Sequence, residues 1–467
     1  MKIEPQSRIR GTARVVLAGF AVVGLLGGLI SCKSNSAKSA KTKTALAWTP
    51  SSGTALNMPD SVQGALPKLL SQTGAFKDVR GLAPNDRLIP YDLNVAFWSD
   101  GAEKLRWMVP AGSDDGTPQK IQFRPTGEWT FPSGTIFVKH FELATNENHP
   151  ELRKRLETRL LVRTSSGGVY GVTYKWRADN SDADLLTTNL TEAILITTAK
   201  GTRTQNWYYP SREDCLTCHT ANAGLVLGVK TRQLNRDFTY PTGVTANELR
   251  VWNHLGLFDT NLDSTDVEHL PKLARLDDKT RSLEDRARSY LDANCSQCHR
   301  PKGTVAYFDA RYDTPLDRQN LIEGNVLIDE RIDNPRIIAP RDIWRSILYM
   351  RAFSTEAFRM PPLAHNELDR KSMALVREWI ESMPGPPVLP PPVISPAGGN
   401  YNHPVEITLN SQPGATIRYT LDGTVPTTKD LLYDKPVRVT GPTILRAKAF
   451  KPGYTKSITS QGIYIIQ

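Results

Sequence analysis

The sequence of 467 residues predicts a multidomain fold, with a mostly-β N-terminal domain, α-helical domains in the middle and a small β-sandwich at the C-terminus. Three patterns support this prediction. Apolar and polar residues alternate in segments such as 156–163, as in a strand with one buried face. Apolar residues recur at helical spacing in 283–291 and 373–383. Beyond residue 393 the period returns to two in several short segments, which is typical of a small sandwich.

The first residues of the chain have the features of an export signal. Three arginines precede an apolar run of 16 residues, Val15 to Ile30, which is short for a bilayer span and typical of a signal peptide. The run ends at Leu29-Ile30-Ser31-Cys32, which resembles a bacterial lipobox; the resemblance implies cleavage before Cys32 and lipidation of its sulfur. An uncleaved membrane anchor is the alternative. In both cases we expect an exported protein of the bacterial cell envelope, tethered to the membrane and facing the periplasm or the cell surface.

The formal net charge of +10 does not indicate a nucleic-acid binder. The excess of lysine and arginine lies in the leader, in the lysines that follow Cys32 and in residues 388–467. The rest of the chain is close to neutral, so we do not expect it to bind nucleic acid.

Two copies of the pattern Cys-x-x-Cys-His are the strongest functional signal. Their residues are Cys215, Cys218 and His219 in the first copy and Cys295, Cys298 and His299 in the second. This pattern is the attachment signature of c-type haem, in which both thiols bond to the haem and the histidine binds the iron. The alternatives are a zinc site made by the four cysteines, or two disulfides. Zinc would leave both histidines unexplained, and the two cysteine pairs of such a zinc site are usually about 15–20 residues apart, whereas 76 residues lie between Cys218 and Cys295. We therefore expect two covalently bound haem c groups with their iron ions.

The elements around the second motif resemble a class I cytochrome c domain. Ser282 can cap a helix that leads into the motif, and a helical stripe that ends at Pro384 closes the segment. Between them, Met360 offers a thioether. The resemblance implies a helical haem domain in which His299 and Met360 bind the iron, a ligand pair that raises the reduction potential. A core methionine is the alternative role for Met360, and Met350 competes with it as a ligand, although packing is the favoured role of Met350.

The first motif has no comparable sixth ligand. No methionine lies between Met108 and Met350. The histidines that could serve are His140, His149, His254 and His269. A lone histidine is more often structural than a ligand. Two alternatives therefore stay open for the first haem: a second histidine as the sixth ligand, or an open sixth position. Thr245 and Glu248 form a capping-box pattern that predicts a helix in this segment.

Two family resemblances follow from particular stretches. Residues from about 75 to 384 resemble an uncharacterised family of bacterial dihaem c-type cytochromes. The matching stretches are 91–94, 97–101, 157–163, 215–219, 232–235 and 286–291. Residues 393–467 are similar to the chitobiase/β-hexosaminidase C-terminal domain, in the stretches 419–427 and 445–450. The first resemblance implies haem and export rather than a known reaction, and the second implies an accessory Ig-like module without glycosidase activity.

The predicted domain boundaries follow from these features. The segments are a lipoprotein signal peptide at 1–31, a flexible tether at 32–58, a mostly-β domain at 59–210, a first haem c segment at 211–280, a second haem c domain at 281–384, a Pro-rich linker at 385–392 and an Ig-like β-sandwich at 393–467. The mostly-β domain carries no catalytic motif. The prolines make the linker semi-rigid and extended.

We expect a membrane-tethered dihaem cytochrome that transfers electrons between redox partner proteins, and we assign no catalytic residue. A dihaem peroxidase- or oxidase-like enzyme with an open first haem is the alternative. A cell-surface binding protein, whose C-terminal sandwich contacts glycan or protein, is a third hypothesis. The spin state of the first haem distinguishes the carrier from the enzyme.

Overall fold

The computed structural model describes residues 44, 47, 48, 55–112 and 117–467. The predicted signal peptide, the lipidation site Cys32 and most of the predicted tether lie outside the described residues. In the part of the chain that is described, no helix combines the length and the apolar character needed to span a membrane.

A six-stranded antiparallel sheet organises the N-terminal part of the chain. The strands of this region are β1 (Phe76–Asp78), β2 (Ala83–Pro84), β3 (Ile89–Pro90), β4 (Glu103–Val109), β5 (Ile136–Ala144), β6 (Arg153–Arg163), β7 (Val169–Trp176), β8 (Ala183–Leu185), β9 (Leu190–Thr198) and β10 (Gly201–Tyr209). Strands β3 to β8 form the sheet in sequence order, so each pairs with the next. β9 and β10 form a separate hairpin, and β1 pairs with β2. As predicted, this part of the chain is built from strands.

The two faces of the six-stranded sheet have different surroundings. One face buries Trp107, Val138, Leu160 and Val172 in a core that also includes residues from the segment before β1. Successive side chains of a strand point to opposite faces. Phe137, the neighbour of Val138, therefore lies on the other face, where it packs with residues that follow the sheet in the sequence.

The middle of the chain contains short helices joined by long loops. The α-helices are α1 (Arg212–Cys218), α2 (Thr231–Leu234), α3 (Glu248–His254), α4 (Leu283–Asn294), α5 (Ile347–Ala352) and α6 (Arg370–Ser382). Short 3-10 helices lie at Leu70–Thr73, Ala221–Ala223, Val267–His269 and Leu316–Arg318. A hairpin of β11 (Asp237–Thr239) and β12 (Thr245–Asn247) precedes α3. Helices α4 and α6 belong to one core, which includes Tyr290 and Val376.

The prediction of α-helical haem domains at 211–280 and 281–384 is wrong. Among the described residues there are six α-helices against twenty strands, and the two longest helices have 12 and 13 residues. The periodic segments form α4 and α6, but the chain between them consists mostly of turns and loops. There, side chains satisfy the backbone: the Asp342 carboxylate accepts from the N–H groups of Trp344 and Arg345. Apolar periodicity identifies single helices, and it carries no information about loops held in this way.

The two predicted helix starts have different outcomes. Ser282 caps α4 as predicted, because its hydroxyl accepts from the Asp285 N–H at 3.0 Å. The capping box predicted at Thr245 is wrong: Thr245 belongs to β12, and the Asn247 side chain caps α3. Glu248, which was expected to complete the box, is fully buried instead. Pairing between β11 and β12 outcompetes the local helix signal.

The predicted C-terminal β-sandwich is confirmed. Its strands are β13 (Val393–Ser395), β14 (Gly399–Tyr401), β15 (Val405–Asn410), β16 (Thr416–Thr420), β17 (Leu431–Leu432), β18 (Val437–Val439), β19 (Thr443–Phe450) and β20 (Ser460–Ile466). They form a three-stranded and a five-stranded sheet. The two sheets enclose a core that includes Ile407, Leu445 and Tyr464, at the alternating positions expected of a sandwich.

The sandwich contacts the loop that precedes α5. Arg345 of this loop donates a hydrogen bond to the Ser457 carbonyl at 3.1 Å. Lys448 of the sandwich forms an ion pair with Asp333 of the same loop. Leu389, in the predicted linker, is fully buried. The C-terminal sandwich is therefore in direct contact with the middle of the chain.

Candidate cofactor site

The first Cys-x-x-Cys-His motif lies on α1, which packs against the six-stranded sheet. The Ser211 hydroxyl accepts from the Asp214 N–H at 3.2 Å, and the Asp214 carboxylate accepts from the Ser211 N–H at 2.8 Å, so the helix starts with a complete cap. Cys215 lies against Gly171 of β7, where a Cβ would be 2.7 Å from the Cys215 sulfur. Glycine at position 171 therefore lets the motif approach the sheet closely.

His219, directly after α1, is held in one orientation. Its Nδ1 lies 2.7 Å from the Leu225 carbonyl oxygen. Since a carbonyl can only accept, Nδ1 donates the hydrogen bond and Nε2 keeps its lone pair when the ring is neutral. Burial lowers the pKa of His219 to about 4, so the ring is neutral at physiological pH. This is the form of histidine that binds metals, with its second nitrogen fixed by a carbonyl.

The second motif lies at the C-terminal end of α4. The ring of His299 stacks on Phe308, with centroids 4.3 Å apart and an angle of 19° between the planes. The buried Nδ1 of His299 has no hydrogen-bond partner in the described part of the chain, which is uncommon for a buried polar atom. Burial lowers the pKa of His299 to about 4. This ring is therefore also neutral and able to bind a metal.

The cavity that contains the second motif is called the second cavity. It brings together the residues predicted to bind the second haem. Its lining includes Cys295, Cys298, His299 and Met360. It contains about 1130 Å³ of empty space, counting the part that is open to solvent. Met350 is not among the described residues that line it, although it lies on α5, which contributes other lining residues. The structure thus places Met360, rather than Met350, in the same cavity as His299.

The mouth of the second cavity is apolar and exposed. Four of its lining residues are Val305, Tyr307, Leu327 and Ile328, with exposed fractions of 81, 55, 47 and 60%. Contiguous exposed apolar side chains usually mark a binding site.

The other cavity, called here the first cavity, lies between α1 and the six-stranded sheet. Cys215, Cys218 and His219 line it together with side chains of β4, β5 and β6, such as Phe137 and Arg159. It contains about 1540 Å³ of empty space, again counting the open part.

The first cavity offers no second histidine and no methionine among the described residues that line it. His140 is fully buried in β5, and its ring is hydrogen-bonded to Thr158 at 2.8 Å and to Glu142 at 3.3 Å. His269 is exposed. His149 and His254 likewise do not line the cavity. The structure therefore brings none of the four histidine candidates into the first cavity.

The two cavities adjoin. Gln297, inside the second motif, lines both of them. The segment that begins at Met360 runs along their boundary: residues 360–362 line the second cavity, and residues 363 and 364 line the first. Groups bound in the two cavities would therefore share two walls.

The loops that follow the two motifs are bonded to each other. Arg300 donates to the Asn222 carbonyl at 3.0 Å, and the Asn222 side chain donates to the Pro301 carbonyl at 3.1 Å. The thiols of Cys218 and Cys298 also interact, and this contact lowers the pKa of Cys298. Two motifs that are far apart in the sequence thus lie side by side.

The first cavity also contains three basic side chains that the sequence did not indicate. Arg106, Lys139 and Arg159 line the cavity from β4, β5 and β6. Their positions on one face of each strand follow from the alternation of the sequence. The strand register that places them next to one another is a long-range feature, and no local sequence signal reports it.

Both cavities fit a haem attached through its motif. Each has two thiols and a neutral histidine in its wall, and the second cavity adds the Met360 thioether. A c-type haem needs this donor set. The lining of the second cavity is mostly apolar, whereas the lining of the first also includes charged side chains. Within the described residues there is no cluster of three or more His, Cys, Asp or Glu side chains that could hold a bare metal ion.

Comparison with known proteins supports one of the two expected resemblances. The family profile described as the chitobiase/beta-hexosaminidase C-terminal domain matches residues 396–461, which span most of the C-terminal sandwich. Neither a curated protein nor a solved structure matches the chain. The expected resemblance of residues 75–384 to dihaem cytochromes receives no support from these comparisons. The C-terminal sandwich is therefore similar to this domain, which has an Ig-like fold.

Proposed function

We propose that this protein is a dihaem c-type cytochrome that transfers electrons. The observation that carries the proposal is that each Cys-x-x-Cys-His motif lines its own cavity and that the two cavities adjoin. Two redox groups separated only by shared walls can exchange an electron without help from proton-transfer residues. Haem, when bound, supplies one-electron chemistry.

The residues that would hold the two haems are those of the motifs. Cys215, Cys218 and His219 would hold the first haem, and Cys295, Cys298, His299 and Met360 the second. The Leu225 carbonyl orients His219, and the stacked Phe308 ring orients His299. The mostly apolar lining of the second cavity would raise the reduction potential of the haem held there. The Met360 thioether would raise the potential of the second haem further.

The proposal includes an address and partners. We infer that Cys32 carries a lipid and that the protein is tethered to a membrane of the bacterial cell envelope, where it faces the periplasm or the cell surface. Its partners would be redox proteins rather than nucleic acid. The Ig-like sandwich, as an accessory domain, would contact a glycan or another protein.

Haem stoichiometry tests the proposal. The full chain should contain two covalent haems per polypeptide in a pyridine haemochrome assay combined with protein quantification. Cys215→Ala with Cys218→Ala should leave one haem, and Cys295→Ala with Cys298→Ala should leave the other. Zinc in the purified protein without covalent haem would overturn the proposal.

A dihaem peroxidase- or oxidase-like enzyme is the second candidate. The first cavity favours it, because its described lining offers no histidine besides His219 and no methionine. A first haem without a sixth protein ligand would be high-spin and would react with peroxide. A low-spin, unreactive first haem would leave only the electron carrier.

A further inference from the structure

Three basic residues form a row across the sheet beside the first cavity. Arg106 of β4 pairs directly with Lys139 of β5, and Lys139 pairs directly with Arg159 of β6. Directly paired residues lie on the same face of a sheet. All three side chains line the first cavity. Like charges placed opposite each other across strands are unfavourable, so this row needs anions nearby.

Two of the three cations in the row have their own carboxylates. Arg106 forms an ion pair with Asp92 at 2.6 Å. Arg159 forms a two-point contact with Glu157, at 2.6 and 2.9 Å. Lys139 has no carboxylate within ion-pair distance among the described residues; its ammonium group lies 4.9 Å from the centre of the Phe141 ring.

The remaining cations that line the first cavity are also paired. Lys230 lies 2.9 Å from the Asp292 carboxylate, and Arg300 lies 2.8 Å from Glu128. The last carboxylate of the lining, Asp214, accepts from the Tyr208 hydroxyl at 2.7 Å. Within the part of the chain that the structure describes, Lys139 is thus the one cation of this cavity without an anionic partner.

The surroundings of Lys139 strongly favour an added anion. Burial lowers the pKa of Lys139 well below its ordinary value, and the charges of Arg106, Lys104 and Arg159 act in the same direction, against the weaker opposing effect of Glu157. A carboxylate bound beside Lys139 would oppose this lowering, because attraction between opposite charges is strong where little water is present. Lysine and arginine together offer several N–H donors to the two oxygens of one carboxylate.

We propose that the row Arg106–Lys139–Arg159 is a carboxylate seat in the first cavity, with Lys139 as its central residue. The carboxylate has two conceivable sources. One is a propionate of the haem attached at Cys215 and Cys218, and this source rests on the proposed function. The other is a free carboxylate from solution, which would make the first cavity a substrate or effector site.

The test compares full-length Lys139→Met with Lys139→Arg, which keeps the charge. Lys175→Met is the matched control, because Lys175 lies on β7 of the same sheet and its ammonium pairs with Glu192 at 3.2 Å. Resonance Raman spectroscopy of the haem-loaded protein reports the propionate bending mode. Acetate titration, followed by the thermal midpoint of unfolding, reports binding of a free carboxylate.

A propionate seat predicts that Lys139→Met shifts the propionate band of one haem, that Lys139→Arg restores it and that acetate has no effect that depends on residue 139. A seat for a free carboxylate predicts unchanged Raman bands and at least tenfold weaker acetate binding in Lys139→Met. No difference between Lys139→Met and Lys175→Met in either measurement would overturn the proposal. If the protein carries no covalent haem, the proposed function fails, but acetate binding to the haem-free chain still tests the seat.

Discussion

At the scale of single residues, the packing of the first motif against the six-stranded sheet depends on one glycine. Gly171 leaves room for the Cys215 side chain, and an added Cβ would lie 2.7 Å from its sulfur. Gly168, in the turn before the same strand, has ordinary space: its nearest neighbour, the Thr164 hydroxyl oxygen, would be 3.5 Å from a Cβ. These two glycines form a matched pair for mutation.

We predict that Gly171→Ala lowers the free energy of unfolding by about 1–3 kcal/mol, the usual cost of an overpacked contact. The substitution should also push Cys215 away from the sheet and speed its reaction with maleimide in the haem-free chain. Urea unfolding and thiol labelling measure the two effects. Gly168→Ala should change neither, and equal effects of both substitutions would contradict this account of Gly171.

A second prediction at this scale concerns Met360, which shares its cavity with His299. In the haem-loaded protein, Met360→Ala should remove the weak sulfur-to-iron absorption band and lower the potential of one haem, because a thioether favours ferrous iron. Spectroelectrochemistry measures both changes. Met350→Ala is the control, since Met350 does not line the cavity. A band that survives in Met360→Ala would show that another residue is the ligand.

At the scale of elements, short segments depend on contacts with distant ones. Helix α3 starts with Glu248, whose Oε1 accepts from the Asp92 N–H at 2.7 Å while its Oε2 has no partner among the described residues. Burial raises the pKa of Glu248 well above its ordinary value of 4.5. The folded protein therefore holds this proton more tightly than the unfolded chain does.

The sign of the resulting pH dependence follows from linkage. The contribution of Glu248 to stability is fully present below pH 4.5 and is lost as the pH rises through the raised pKa. Glu248→Gln stays neutral at every pH. We predict that its stability relative to the wild type increases as the pH rises from 4 to 8. Urea unfolding at the two pH values measures this difference. Exposed Glu268→Gln should show the wild-type dependence, and a Glu248→Gln curve parallel to the wild type would contradict the prediction.

At the scale of the whole molecule, the C-terminal sandwich supports the wall of the second cavity. Arg345 and Asp333 contact the sandwich, and they flank Ile337, which lines that cavity. The first cavity has no lining residue beyond residue 364 among the described residues.

We predict that removal of residues 388–467 exposes the segment 326–346 to proteolysis, because Arg345 and Asp333 lose their partners. Limited proteolysis with mass spectrometry should show new cuts there, while cleavage within 211–234 should stay unchanged. In the haem-loaded protein, only the second haem should change its spectrum. An unchanged cleavage pattern after truncation would show that the segment 326–346 keeps its structure without the sandwich.

The sequence by itself determined those features of the protein that depend only on residues close together in the chain. Haem attachment chemistry needs two cysteines and a histidine within five residues, so both candidate motifs could be recognised directly. The cap of α4 at Ser282 and the alternating strands of the sandwich were likewise predictable from local pattern. The boundary of α3 was not, because pairing of β11 with β12 overrides the capping signal at Thr245.

Only the tertiary structure decided how these parts meet. The side-by-side motifs, the shared wall at Gln297 and the basic row around Lys139 join residues that are far apart in the chain. Such contacts depend on strand register and on loops whose backbone is held by single side chains, such as Asp342. The predicted helical haem domains failed for the same reason. A periodic pattern reports the buried face of one element, whereas a domain is made by the long-range contacts between elements.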